Sequence, residues 1–162
     1  HNPEEAMRMG DRIVVMRDGR ILQAGTLSQL YRDPVDLFVA RLFSEINEIP
    51  WTVEGNALHT PVGTFVVPGL THGETAMLCL RQRAIRLAPP GEGQPGRILH
   101  VKFLGDAAIV EAAVQGFEAP LKLRVRELEV PERREDVGVV VDPNRVLVFP
   151  MDDVKSHANA TA

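Results

Sequence analysis

From about Ser44 onward, the sequence is a succession of short apolar runs interrupted by glycine and proline. These runs are rich in residues that favour strands and are bounded by turn residues. They predict strands at residues 51–54, 57–60, 64–67, 74–81, 84–87, 97–104, 107–114, 119–126, 137–141 and 146–149. Many short strands at close spacing favour a small barrel or sandwich over an α/β sheet. The larger part of the chain is therefore predicted to be mainly β.

The beginning of the chain has a mixed α and β pattern. Asn2, followed by proline and two glutamates, predicts the start of a short helix that ends at Gly10. Asp18 and Gly19 lie between two β-type runs, and this dipeptide is typical of a tight hairpin turn. We therefore expect a helix followed by a β-hairpin.

Two further helices are predicted after the hairpin. Thr26 and Gln29 have capping-box spacing, and Pro34 sets the end of the helix they begin. The next segment repeats apolar residues at helical spacing, which predicts an amphipathic helix with one wide apolar stripe. The stripe consists of Val35, Phe38, Val39, Leu42 and Phe43.

Composition excludes several classes of protein. The 162 residues carry a net charge of −4 and few aromatic residues, which argues against a nucleic-acid-binding surface. Apolar runs are too short for a membrane span, and we expect no secretion signal in this chain. The single cysteine, Cys79, lies in an apolar run and allows no intrachain disulfide. These features predict a cytoplasmic location.

A glycine-rich stretch resembles a phosphate-binding loop only in spacing. Gly91 and Gly96 are five residues apart, but Arg97 and Ile98 stand where the phosphate loop needs lysine and then serine or threonine. Pro95 also lies inside the stretch. A flexible loop between strands is therefore the preferred interpretation.

Other candidate chemistry is equally sparse. The five histidines are not spaced as metal ligands, so no metal site is predicted. Glu4 and Glu5 are adjacent on the first helix and point about 100° apart, so helix capping explains them better than paired acid–base catalysis. No serine–histidine–aspartate or cysteine–histidine arrangement follows from the spacing. The histidines are His1, His59, His72, His100 and His157.

The opening stretch, HNPEEAMRMGDRIVVMRDGRILQAGT, resembles the segment that begins at the switch histidine of ATP-binding cassette (ABC) importer ATPases. LYRDPVDLFVARLFSE matches the helices that follow in that family. CLRQRAIRL, GRILHVKFLGDAAIVEAAV and VGVVVDPNRVLVFP resemble strands of its C-terminal regulatory domain, the TOBE domain. The resemblance implies a small oligomer-binding-type (OB-type) β-barrel after the α/β tail of the ATPase domain. It predicts an ATPase tail at 1–47, the TOBE barrel at 48–150 and a disordered tail at 151–162.

The resemblance implies one site residue. His1 corresponds to the switch histidine, which contacts the terminal phosphate of ATP and helps to position the attacking water. Asn2 stands where the family usually has aspartate, which puts the fine tuning of that site in doubt. The phosphate loop and signature motif are absent from this sequence, so we expect no ATP hydrolysis by the chain itself. ATP and magnesium would be cofactors of the parent protein, and no cofactor or metal is predicted for this part.

The same resemblance implies partners and a cargo. FVARLFSEINEIP is most similar to ATPases of ferric-iron importers, whereas polyamine, sugar, sulfate and phosphonate importers share the architecture. The parent would lie in the cytoplasm on the inner face of the membrane, bound to permease subunits. Because the hairpin edges and the apolar stripe need cover, we expect a homodimer, with arm exchange between chains as one form of it.

A different class of function remains open. The barrel could be a free-standing OB-type module that binds a small oxyanion such as molybdate. A preceding ATPase tail has no evident purpose in such a protein. The paired repeat typical of oxyanion binders is also not visible.

Overall fold

The computed structural model describes residues 12–151, which fall into two compact units. Of these residues, 12–45 and Met151 belong to the first unit, and Ile46–Pro150 form the second. The elements are β1 (Ile13–Arg17), β2 (Arg20–Gly25), α1 (Leu27–Arg32), α2 (Leu37–Phe43), β3 (Ile46–Thr52), β4 (Ala57–Thr60), β5 (Gly63–Val66), β6 (Thr75–Arg81), β7 (Ile85–Ala88), β8 (Gln94–Phe103), β9 (Ala107–Val114), β10 (Leu121–Arg126), β11 (Asp136–Val141) and β12 (Val146–Pro150). Short 3-10 helices cover Gln82–Ala84, Glu127–Glu129 and Pro143–Arg145.

The first unit begins with the predicted hairpin. Antiparallel β1 and β2 are joined by Asp18 and Gly19, whose φ angles of 50° and 75° give the tight two-residue turn. Inward-facing Ile13 and Val15 are buried, whereas Met16 on the other face is 57% exposed. The hairpin therefore has one covered and one open apolar face.

Both helices of the first unit are capped by side chains. Thr26 and Gln29 form the predicted capping box at the start of α1. Asp36 caps α2 by accepting a hydrogen bond from the Val39 N–H at 2.9 Å. A small core joins the helices to the hairpin and consists of Ile13, Val15, Leu30 and Val39, with Leu22, Phe38, Leu42 and Phe43 packed against it. Most of the predicted stripe is therefore covered, whereas Val35 is exposed.

The second unit contains three antiparallel sheets. Five strands follow the order β10-β9-β8-β11-β7, three follow β12-β6-β3, and β4 pairs with β5. Strand β6 is the centre of its sheet, and all of its residues after Thr75 are buried. One core connects the sheets, and its fully covered side chains include Leu58, Leu78, Leu80, Ile98, Leu121 and Leu123.

The predicted mainly β class is confirmed. Every predicted strand has a counterpart, and 57–60 and 107–114 have the predicted bounds. The sheets of the second unit are separate in their hydrogen bonding, so its strands do not form one continuous closed barrel. The strand predicted at 51–54 is displaced, because β3 already begins at Ile46 and ends at Thr52.

The helix predicted between Asn2 and Gly10 and the tail after residue 151 lie outside the described residues. The predicted division at 47–48 stays a prediction. Among the described residues, Ile46 and Asn47 pair with Arg81 and Leu80 of β6.

Candidate functional site

The residue that carries the predicted nucleotide chemistry is outside the described part of the chain. His1, its neighbour Asn2, and Glu4 and Glu5 of the predicted first helix all precede residue 12. The role of His1 at the terminal phosphate of ATP therefore stays a prediction.

The histidines within the described residues serve local structure or face solvent. His72 Nδ1 accepts a hydrogen bond from the Gly55 N–H at 3.2 Å, and His59 Nδ1 lies 3.2 Å from Thr64 Oγ1. His100 is exposed on β8. Within residues 12–151, no three histidine, cysteine, aspartate or glutamate side chains are grouped as metal ligands.

The glycine-rich stretch serves packing rather than forming a phosphate cradle. The Glu92 N–H donates to the Pro89 carbonyl at 3.1 Å, and Gly91 and Gly93 have φ angles of 96° and 70°. The loop rests on β11, where a Cβ added at Gly138 would overlap the carbonyl oxygen of Glu92. The last glycine of the glycine-rich stretch, Gly96, lies in a strand and not in a loop, because β8 begins at Gln94.

A groove of about 1510 Å³ lies within the second unit, to which all of its lining residues belong. It lies at β7 and β10, the two edge strands of the five-stranded sheet. Segments 83–90 and 124–131 contribute most of the lining. The groove therefore marks the place where the curved sheet is not closed by hydrogen bonds.

The floor of the groove is apolar and its walls carry charge. Ile85, Val125 and Val137 are buried at the floor. Leu128, on the 3-10 helix after β10, is 97% exposed at the rim. An occupant would thus meet both apolar surface and charged groups.

Five arginines line the groove, and they differ in how they are engaged. They are Arg83, Arg86, Arg124, Arg126 and Arg145. Arg86 Nη2 lies 3.0 Å from Glu92 Oε1, and Arg145 Nη1 donates to the Arg83 carbonyl at 3.1 Å. Within residues 12–151, the guanidinium groups of Arg83, Arg124 and Arg126 have no hydrogen-bonding or ionic partner.

The carboxylates of the lining are partly occupied by their own backbone. Glu129 Oε2 accepts the Arg126 N–H at 3.3 Å, and Glu135 Oε2 accepts the Glu132 N–H at 2.8 Å. Asp106 and Glu127 are the remaining acids of the groove. Since the lining holds five arginines and four carboxylates, it is slightly positive in a chain whose net charge is −4.

Strand β10, which supplies one wall, is held by a side chain from the other sheet. Asn47 Oδ1 accepts the Lys122 N–H at 2.7 Å, and Asn47 Nδ2 donates to the Lys122 carbonyl at 2.8 Å. The same Nδ2 lies 3.2 Å from the Leu80 carbonyl on β6. Asn47 therefore replaces a strand partner at the open edge of β10 and fixes this wall of the groove.

Sequence reasoning did not find the groove, because its residues come together only through the order of the strands. One signal was present in the sequence. Lys122, Arg124 and Arg126 alternate along β10 with buried Leu123 and Val125, which places the three cations on the outer face.

Comparison with known proteins agrees with this architecture. The family model described as TOBE domain matches residues 78–149. These residues therefore match the TOBE domain family. The arginine-lined groove lies entirely within the TOBE domain.

The resemblance to importer ATPases extends beyond the TOBE domain and is confirmed by similarity over most of the chain. The "Fe(3+) ions import ATP-binding protein FbpC" of Streptomyces avermitilis is 34% identical over 149 residues, which are 92% of this chain and 43% of that protein. The protein of the same name from Streptomyces coelicolor is 35% identical over 152 residues, covering 92% and 42%. The chain thus spans less than half the length of these relatives.

A solved structure supports the fold of the TOBE domain. The cytoplasmic molybdate-binding protein ModG, solved with molybdate bound, superposes with a TM-score of 0.51 at 15% identity. The match covers 64% of this chain and 95% of that chain. At this identity the likeness concerns the fold alone.

The helices between residues 12 and 151 are all too short to cross a membrane.

Proposed function

We propose that this chain is the C-terminal part of the ATP-binding subunit of an ABC importer, and that the imported ion is ferric iron. The observation that carries the proposal is the similarity of 92% of the chain to two proteins named for Fe(3+) import. The TOBE domain at residues 78–149 supports the same placement. In this proposal the TOBE domain has a regulatory and dimerising role.

The nucleotide chemistry belongs to the parent protein. ATP and magnesium would bind there, and His1 of this chain would contact the terminal phosphate. The parent would lie in the cytoplasm and reach the inner face of the membrane through permease subunits. This chain would contribute the end of the ATPase domain and the TOBE domain, and would not hydrolyse ATP by itself.

Uptake measurements test the cargo. Deletion of the gene that encodes this chain is expected to abolish high-affinity uptake of radioactive Fe³⁺, and a copy of the gene is expected to restore it. Uptake of polyamines, sugars, sulfate and phosphonates provides the matched comparison in the same strains. Normal iron uptake with loss of one of these other solutes would overturn the assignment of iron and keep the importer.

A second candidate function is a free-standing module that binds a small oxyanion. The fold likeness to a protein solved with molybdate bound favours its inclusion. Titration calorimetry of this chain with molybdate tests it. Saturable binding of molybdate would support this candidate, and the absence of heat up to millimolar molybdate would remove it.

A further inference from the structure

We propose that the arginine-lined groove of the TOBE domain binds an acidic, partly apolar peptide segment of a partner protein. This inference does not depend on the identity of the transported ion. It rests on the size of the groove, its apolar floor and the arginines on its walls.

Size argues against a small ligand as the main occupant. The groove has a volume of about 1510 Å³, whereas sites for small molecules are typically about 300–1,000 Å³. A tetrahedral oxyanion would fill a minor part of this space and would leave the apolar floor uncovered. An extended peptide segment can follow the length of the groove and cover that floor.

The groove arginines whose guanidinium groups have no partner within residues 12–151 favour an acidic occupant. Arg124 is half-buried on β10, and Arg126 is exposed two residues further along the same face. Neither guanidinium has a partner within residues 12–151. Because guanidinium groups bind carboxylates with two parallel hydrogen bonds, acidic side chains at alternate positions of an extended segment would match this row.

The apolar lining defines the rest of the occupant. Buried Val125 and Val137 form the floor, and Leu128 projects into solvent at the rim. Because this leucine is 97% exposed, a partner that covers it stabilises the complex by removing apolar surface from water. Apolar residues between the acidic ones would therefore contact the floor and Leu128. Recognition of acidic motifs by arginine clusters is a recurrent mode of peptide binding.

The test measures fluorescence anisotropy of a fluorescein-labelled peptide of alternating aspartate and leucine, titrated with this chain. We expect saturable binding that weakens at high salt, since the contacts are ionic at the surface. The same peptide with lysine in place of aspartate is expected not to bind. No binding of the aspartate peptide up to millimolar protein would overturn the proposal.

Matched variants locate the site. The double variant Arg124→Gln with Arg126→Gln is expected to weaken binding about tenfold or more. The control, Lys102→Gln with Arg133→Gln, removes two exposed charges outside the groove and is expected to bind normally. Circular dichroism checks that both variants fold. If the groove double variant does not fold, Arg83→Gln provides an independent variant of the groove. Equal weakening by groove and control variants would contradict the proposal.

Competition separates the peptide from a small anion. Inorganic phosphate and molybdate are added at millimolar concentration and constant ionic strength. Little displacement of the peptide supports a peptide site. Complete displacement by either anion would overturn the proposal, because it would make the groove a small-oxyanion site.

Discussion

At the scale of single residues, two side-chain amides satisfy backbone groups that no strand or helix satisfies. Gln23 Nε2 donates to the Asp33 carbonyl at 2.8 Å, and Gln23 Oε1 accepts the Val35 N–H at 2.9 Å. Asn47 does the same for Lys122 at the edge of β10. Each amide gives these backbone groups partners within the chain, so it stabilises the segment it contacts.

Replacement of Asn47 by alanine tests this role. Asn47→Ala removes all three hydrogen bonds of the amide and is expected to lower the free energy of unfolding by about 2 kcal/mol. Urea denaturation followed by circular dichroism measures the loss. Asn144→Ala is the control, because Asn144 is exposed and its side chain makes no hydrogen bond within residues 12–151. Equal stability of the two variants would show that the amide does not hold β10.

Glu74 introduces a dependence of stability on pH. The backbone N–H and the hydroxyl of Thr71 donate to Glu74 Oε2 and hold the pKa of that carboxyl below its usual value of 4.5. A lowered pKa in the folded state means that the stabilising contribution is complete above pH 4.5 and is lost as the pH falls through the folded value.

Glu74→Gln should therefore flatten the acid side of the stability profile. Urea midpoints measured at successive pH values from neutral to acidic are expected to fall less in the variant than in the unchanged chain. Glu118→Gln is the control, since Glu118 is exposed and makes no hydrogen bond within residues 12–151. A profile for Glu74→Gln that parallels that of the unchanged chain would refute this role.

At the scale of elements, the contact between the loop at 89–93 and β11 depends on a glycine. A Cβ at Gly138 would overlap the Glu92 carbonyl oxygen and would lie 2.7 Å from the Pro89 carbonyl oxygen. Both atoms belong to the backbone, so a small side-chain movement cannot make room. The loop supplies Pro89 and Pro90 to the lining of the groove.

Gly138→Ala is therefore expected to destabilise the fold by about 2–3 kcal/mol through overpacking. Denaturant unfolding measures this loss. Gly69→Ala serves as the comparison, because its Cβ would meet no atom within 4 Å and only its φ of +82° is unfavourable. A loss at Gly138 that does not exceed the loss at Gly69 would contradict the packing argument.

The elements also show what could be predicted from sequence. The Asp18–Gly19 turn and the Thr26–Gln29 cap depend on neighbouring residues, and both were predicted. The early start of β3 does not follow from the sequence pattern, because its polar residues and Pro50 interrupt the apolar run that would indicate a strand. Proline is tolerated there because β3 is an edge strand of its sheet.

At the scale of the whole molecule, similarity to known proteins, rather than any local sequence pattern, supports the assignment to an importer ATPase. The mainly β class was predicted from the short strand-like runs, and the TOBE domain from the order of short motifs that resemble it. The groove could not be predicted, because Arg83, Arg124 and Arg145 are separated in sequence and meet only when the sheet curves.

Self-association is the prediction that belongs to this scale. The outer face of the hairpin exposes Val14, Met16 and Ile21, the last to 65%. Because an apolar face of this kind favours association, we expect a homodimer. Light scattering at micromolar concentration measures the mass, and Met16→Lys with Ile21→Lys is expected to shift the dimer towards monomer. A monomer in the unchanged chain would contradict the expectation.

The intact mass of the native protein in the cells that produce it tests the central claim most directly. An antibody raised against this chain detects the protein on a denaturing gel. Because the 149 aligned residues are 43% of the Streptomyces avermitilis relative, that relative is about 350 residues long. Our account predicts a protein of about this length, roughly twice the mass of this chain. A native protein of 17.9 kDa, the mass of this chain alone, would contradict it.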